Sequence, residues 1–161
     1  MIKDFNLFFL TLFKIGKIKY APGTIASLIT CLLFLFLINI FDILILLFGT
    51  IIIFCYSFIA INNSYDTFDV NDPHEIVIDE VAGQMLPLLA IPIYETLYPA
   101  PKVYYCVAAF VLFRLFDIWK PFPISYVDNN IKGALGIMLD DILAGTYAII
   151  ILMIAFFFLG A

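Results

Sequence analysis

From Ile43 to Ile61 the chain carries no charged residue. An uninterrupted apolar run of this length suits the hydrocarbon core of a bilayer, which takes about 20 residues of helix to cross. Four other stretches approach the same length: Ile25 to about Phe41, Val81 to Tyr98, Val103 to Lys120, and Ile142 to Ala161. Counted along the chain, the third of the five, Val81 to Tyr98, contains Gly83, Pro87 and Pro92 and is expected to kink. Pro121 is expected to end the fourth, and Asn39 with Asp42 marks a tight turn between the first two. Composition agrees with this reading. Apolar residues are 65% of the 161, charged residues only 13%, and mean hydropathy is +1.11. A soluble domain carries about 25% charge, so this chain has too little polar surface to coat a ball of its size. The expected fold is all-α: a small polytopic membrane helical bundle of about five apolar helices plus an N-terminal interfacial helix. With no internal repeat or linker, residues 1–161 read as one domain.

The segment before the first run is too short to span. Phe5, Phe8, Phe9, Leu12 and Phe13 follow helical spacing, which suggests a helix lying in the membrane interface or packed on the bundle. Lys14, Lys17 and Lys19 follow the apolar stretch, the reverse of a secretory signal. If all five runs cross with the N-terminus inside, seven of the eight basic residues lie on the cytoplasmic side and only Lys102 lies outside, the orientation favoured by the positive-inside rule. Every polar cluster longer than a turn then faces the same side. A net charge of −5 with scattered basic residues leaves no nucleic-acid footprint. Cys31, Cys55 and Cys106 are odd in number, widely spaced and set in apolar stretches, so they read as small hydrophobes.

Four segments at loop–helix junctions carry chemistry. In Ala21-Pro22-Gly23-Thr24-Ile25-Ala26-Ser27, Thr24 suits a helix cap, and free N–H groups there suit an anion. In Asp72-Pro73-His74-Glu75-Ile76-Val77-Ile78-Asp79-Glu80, Asp79 and Glu80 stand where a helix enters the membrane, positions that also suit the helix dipole. Gly83, one turn on, lets a neighbouring helix approach. Arg114, Asp117 and Lys120 recur every third residue and share one helix side, costly near a membrane and usually functional. Gly136, Asp140 and Ala144 share a face at four-residue spacing, as do Asp141 and Gly145, so another helix can press close to the carboxylates.

Converging loops would crowd Asp79, Glu80, Asp117, Asp140 and Asp141 together, and such anions repel unless a cation sits among them or some protonate. All the donors are oxygens, which selects a hard ion, Mg²⁺ before Zn²⁺. Arg114 and Lys120 are then available to hold a phosphate. At a lipid surface this suggests phosphoryl chemistry on a headgroup. Other designs do not fit. Leu112 stands where a cysteine phosphatase would need Arg after Cys106, no DxDx[TV] motif occurs, and His74 is the only histidine. The DG…AR…G…D…D signature of the CDP-alcohol phosphotransferases is also missing.

The same four segments resemble the bacterial phosphatidylglycerophosphatase A family. Pro22 to Ser27 is similar to its PGT-x-G-S segment, and Ile76 to Glu80 to its IV-x-DE segment. Phe113 to Ile124 is similar to FR-x-x-D-x-x-KP-x-P-I, and Ile137 to Gly145 to the IM-x-DD-x-x-AG part of G-x-x-IM-x-DD-x-x-AG, with Gly133 one position ahead of its leading glycine. The resemblance covers about residues 20–150, in order. It departs at Ala26, where the family usually has Gly; the added methyl would narrow a helix contact or a phosphate approach.

The resemblance implies hydrolysis of phosphatidylglycerophosphate to phosphatidylglycerol, dependence on Mg²⁺, and residence in the bacterial inner membrane; the apolar runs and basic residues add a multi-pass protein with the site facing the cytoplasm. On this expectation Asp79, Glu80, Asp140 and Asp141 bind one or two Mg²⁺, and Arg114 and Lys120 hold the phosphate with Gly23, Thr24 and Ser27 at the substrate. Asp117 orients a cation or takes a proton from water; the nucleophile is either water or a carboxylate. Two competing readings are a phosphatase for another lipid phosphate, such as phosphatidate or a polyprenyl phosphate, and a non-enzymatic small cation carrier. The carrier is disfavoured because the acids sit at helix ends, away from the midplane.

Overall fold

A computed structural model describes residues 2–64 and 74–160, so Asp72 lies outside the described residues. Among these residues the chain is all-helical. Eight α-helices follow in order: α1 (Ile2–Leu10), α2 (Pro22–Leu37), α3 (Ile43–Ser64), α4 (Ile78–Leu89), α5 (Ile91–Leu97), α6 (Lys102–Trp119), α7 (Ile124–Asn130) and α8 (Gly133–Gly160). A 3-10 turn, Ile15–Lys17, joins the first two.

Local chemistry sets the boundaries. Pro22 opens α2, where its missing N–H costs nothing. The cap position is Ala21, with φ 45° and no side-chain bond, so Thr24 sits inside the first turn rather than capping it. Asp42 Oδ1 accepts from the Leu44 N–H at 2.9 Å and so satisfies a donor at the start of α3. The third apolar stretch is broken as expected: Pro87 lies inside α4, the chain turns at Ala90, and Pro92 enters the first turn of α5. Pro121 follows the end of α6. The last helix departs from the expectation. It begins at Gly133 instead of Ile142, so Asp140 and Asp141 ride inside a helix rather than preceding it.

Two helices, α3 with 22 residues and α8 with 28, are long and apolar enough to cross a membrane. Their outward faces carry Phe48, Ile52, Phe157 and Phe158, all exposed. A surface of this kind is unfavourable in water and suits lipid. Helix α2 is apolar but has only 16 residues. Helix α1 packs on α3. Tyr56 donates to buried Asn6 at 2.8 Å, and the Phe9 ring meets Tyr56 edge-on at 4.9 Å. Phe5 and Phe8 remain exposed. Of the two expectations for this helix, the packed one describes its contact with the bundle. The spacing through Leu12 and Phe13 does not continue the helix, because Leu12, Phe13 and Lys14 take left-handed φ angles.

Close approach of α4 and α8 positions the site. A Cβ placed on Gly83 would lie 2.7 Å from the Asp141 carbonyl oxygen and 2.8 Å from the Phe113 ring. One placed on Gly145 would run into the Gly83 carbonyl. The two glycines therefore let the helix backbones touch, as the small-residue spacing implied. At the far end, Tyr94, Tyr105 and Phe156 cluster at centroid distances of 5.1–6.1 Å and tie α5, α6 and α8 together. Cys31 and Cys106 are buried and free, consistent with their reading as small hydrophobes, whereas Cys55 is free and exposed.

Candidate active site

The starts of α2, α4 and α8 and the end of α6 meet at one end of the bundle. There they enclose an open cleft of about 850 Å³ whose lining includes residues from all four segments singled out in the sequence. Helix N-termini present unpaired N–H groups and positive dipole ends. At α2 the Ile25 N–H bonds back to the Ala21 carbonyl, while Gly23 and Thr24 both line the cleft.

Three carboxylates converge at its floor. Asp79 and Glu80 come from the first turn of α4, and Asp141 comes from α8, pressed there by the Gly83–Gly145 contact. One ligand oxygen from each lies within 4.8 Å of the other two. Glu80 Oε2 and Asp141 Oδ1 are buried without a hydrogen-bond partner. Asp79 Oδ1 accepts from the Glu80 N–H at 3.1 Å. Burial raises the Asp79 carboxyl well above the ordinary carboxylate range, and the neighbouring Glu80 and Asp141 charges add to this. Burial also raises Glu80. Orphaned, mutually repelling, all-oxygen donors fit a hard divalent cation.

Asp140 plays a different part from its neighbour. It accepts from Lys120 Nζ at 2.8 Å, and the same ammonium donates to Asp128 at 2.6 Å. Burial disfavours the Lys120 charge, but the two acids outweigh it and raise its pKa. Lys120 terminates α6 in a left-handed conformation, φ 45°. Arg114 touches Asp117 at 2.6 Å, with both side chains mostly buried. Arg114 Nε is buried without a hydrogen-bond acceptor. Gly23 packs directly on the Glu80 carboxylate beside Arg114.

Of the expected site residues, Asp79, Glu80, Arg114, Asp117, Lys120, Asp140, Asp141, Gly23 and Thr24 all line this cleft. Ser27 does not. Its hydroxyl is fully buried and donates to the Gly23 carbonyl at 2.9 Å, so it supports the α2 turn from behind. Asp140 lies outside the oxygen trio, held by Lys120. Ala26 is fully buried in the core and does not line the cleft. Sequence reasoning missed Asp128, on the short helix α7. The available signal was the pair Pro121 and Pro123, which turns the chain back toward Lys120. His74 is exposed at the rim beside Glu75, whose carboxylate lies 3.7 Å from Lys17.

A family model described as Phosphatidylglycerophosphatase A matches residues 8–156, a span that takes in every residue of this cleft. The chain belongs to the phosphatidylglycerophosphatase A family. Curated relatives agree. A Haemophilus influenzae protein named phosphatidylglycerophosphatase A is 37% identical over 86% of this chain and 81% of its own length. An Escherichia coli protein of the same name is 43% identical over 47% of this chain and 40% of its own. A Bacteroides thetaiotaomicron protein, provisionally named a phosphatidylinositol-3-phosphatase, is 35% identical over 92% and 91%. No solved structure matches. Membership in the phosphatidylglycerophosphatase A family makes the chain a phosphoric monoester hydrolase with a lipid substrate and a membrane setting, consistent with its apolar exterior.

Proposed function

We propose that this protein hydrolyses phosphatidylglycerophosphate to phosphatidylglycerol and phosphate, with Mg²⁺, as a multi-pass protein of the bacterial inner membrane whose cleft opens to the cytoplasm. The observation that carries the reading is the meeting of the Asp79–Glu80–Asp141 oxygens with an Arg114 that still has free donors, in one cleft at one end of an apolar bundle. Five of the eight basic residues, Lys17, Lys19, Arg114, Lys120 and Lys132, line the cleft, which supports the orientation.

Asp79, Glu80 and Asp141 would hold the ion. When bound, Mg²⁺ supplies charge neutralisation at the phosphate and Lewis acidity toward water. The chain's own groups do the rest. The Arg114 guanidinium, whose Nε has no acceptor, donates to the non-bridging oxygens in a charge-assisted contact that suits phosphate. Asp117 fixes the guanidinium from behind and is a positioning residue. Lys120 has three donors, of which Asp128 and Asp140 take two, leaving the third for phosphate. The first-turn N–H groups of Gly23 and Thr24 add neutral donors at the positive end of α2. In the net reaction the bond from phosphorus to the terminal glycerol oxygen breaks, an oxygen from water ends on phosphorus, and a proton from that water ends on the glycerol oxygen, which leaves with the lipid as a hydroxyl.

The test is phosphate release from a panel of lipids, with and without Mg²⁺, by protein reconstituted in vesicles. The panel holds phosphatidylglycerophosphate, phosphatidate, a polyprenyl phosphate and phosphatidylinositol 3-phosphate. Release is expected to be fastest from the first, to require Mg²⁺, and to vanish in Asp79→Asn and Asp141→Asn while membrane insertion persists. Near-normal turnover in both variants would refute the assignment. The phosphatidylinositol lipid is included because the Bacteroides thetaiotaomicron relative carries that name.

A further inference from the structure

A second cavity, about 290 Å³, lies between α2, α3 and α4. Its walls are apolar apart from Thr30 and Thr50, whose hydroxyls are spent on the carbonyls of Ala26 and Leu46. It is a groove rather than a sealed void. Phe34 and Leu46 form a buried back wall, while Leu33 and Ile45 stand at its lips, 53% and 56% exposed.

Two features point to an occupant. The groove and the acidic cleft lie along the same helices, α2 and α4. Val81 opens it, and the residue before Val81 is Glu80; below the cleft residues Pro22 to Thr24, α2 lines it from Ile29 to Leu37. At 1.5 Å per residue that stretch of α2 runs about 12 Å, most of the roughly 15 Å of hydrocarbon in one leaflet. The second feature is Gly49. A mid-helix glycine is disfavoured by about 1 kcal/mol relative to alanine, and packing does not demand this one, because a Cβ there would meet nothing within 4 Å. Gly49 sits on the groove wall, and its missing side chain keeps the groove open.

We propose that this groove holds one acyl chain of the lipid phosphate whose headgroup occupies the cleft. The inference rests on the lipid-phosphatase reading and adds to it: the enzyme grips its substrate by the tail as well as the phosphate, so it selects long-chain lipids over their deacylated headgroup.

The test uses the full chain in phosphatidylcholine vesicles with a phosphatidylglycerophosphate bearing a photoactivatable group on one acyl chain. Crosslinks are expected at Leu33, Ile45 and Ile53. They should be competed by unlabelled long-chain lipid phosphate and not by its deacylated headgroup. Gly49→Leu adds bulk on the groove wall at a position where a Cβ meets nothing within 4 Å, and Leu33→Trp narrows the groove from α2. Each is expected to cut groove labelling at least about fivefold and to raise KM for the long-chain substrate by a similar factor, with turnover of the deacylated substrate unchanged. Labelling spread evenly over outward residues such as Phe48 and Ile52, or untouched by both variants, overturns the proposal. Equal competition by added phosphatidylcholine that lacks the phosphomonoester also overturns it, since the groove would then hold bulk lipid. Labelled groove residues without phosphate release would leave the acyl site standing and refute the phosphatase reading.

Discussion

Gly23→Ala and Gly83→Ala add the same methyl to helices that line one site, yet the structure gives them different consequences. At Gly23 the new Cβ overlaps the Glu80 carboxylate, with its carboxyl carbon at 2.8 Å and Arg114 Nη1 at 3.3 Å. Both obstacles are ends of flexible side chains, so the helix can stay where it is while Glu80 swings away. At Gly83 the obstacles are the Asp141 carbonyl oxygen at 2.7 Å and the Phe113 ring at 2.8 Å, backbone and packed core that cannot yield locally. Overpacking of the second kind costs about 1–3 kcal/mol, which lowers the melting temperature of a chain this size by about 2–12 °C. Gly23→Ala should leave melting within about 2 °C of wild type but displace one of three proposed ion ligands. A charge-assisted contact is worth about 1.5–3 kcal/mol, so the Mg²⁺ concentration for half-maximal rate should rise about 10- to 100-fold. The assay is phosphate release against Mg²⁺ concentration, with near-ultraviolet circular dichroism for unfolding. A Gly23→Ala enzyme with the wild-type Mg²⁺ curve would refute the role given to Glu80.

Further predictions follow from the same contacts. Arg114→Lys removes the guanidinium fork and should lower kcat/KM by about 10- to 100-fold, with membrane insertion unchanged by fractionation. Lys120→Met leaves Asp128 and Asp140 facing each other without their cation. With Lys120 27% exposed, the cost should fall between a surface and a buried pair, about 1–3 kcal/mol, and Lys120→Met/Asp128→Asn should recover part of it in thermal melts. The Asp79 and Glu80 carboxyls are raised in the folded protein, so the metal-free fold binds more protons than the unfolded chain. Their contribution is present in full below the ordinary carboxylate pKa and is lost as pH rises through the raised values. The metal-free protein should therefore melt lower as pH rises from acid toward neutral, and Mg²⁺ should restore more stability at the upper end. A melting temperature that rises with pH without metal would contradict this.

Much of the site was legible because its chemistry needs rare residues in a nearly charge-free chain. Asp79, Glu80, Arg114, Asp117, Lys120, Asp140 and Asp141 stand out against apolar neighbours, and Gly83 and Gly145 announce the helix contact that gathers them. Proline placed the break between α4 and α5 and the end of α6. What failed to read was pairing. Periodicity assigns residues to faces but does not say which acid a lysine will choose. Lys120 therefore read without partners, whereas Asp128 and Asp140 take two of its three donors. Thr24 and Ser27 illustrate the same limit. Pro22 moved the start of α2 forward, turning a candidate cap into a first-turn residue and pointing Ser27 inward. The N-terminal helix stopped early because Leu12, Phe13 and Lys14 turn left-handed, a backbone event with no glycine to signal it.

Lys120 closes α6 in a conformation that glycine adopts freely and a side chain resists. Local ease would favour glycine there. The ammonium on that strained hinge reaches α7 through Asp128 and α8 through Asp140, so a single tether coordinates three helices around the mouth of the cleft. Relaxing the corner with glycine would ease the backbone and cut the tether at the same stroke. The sequence has kept the harder corner.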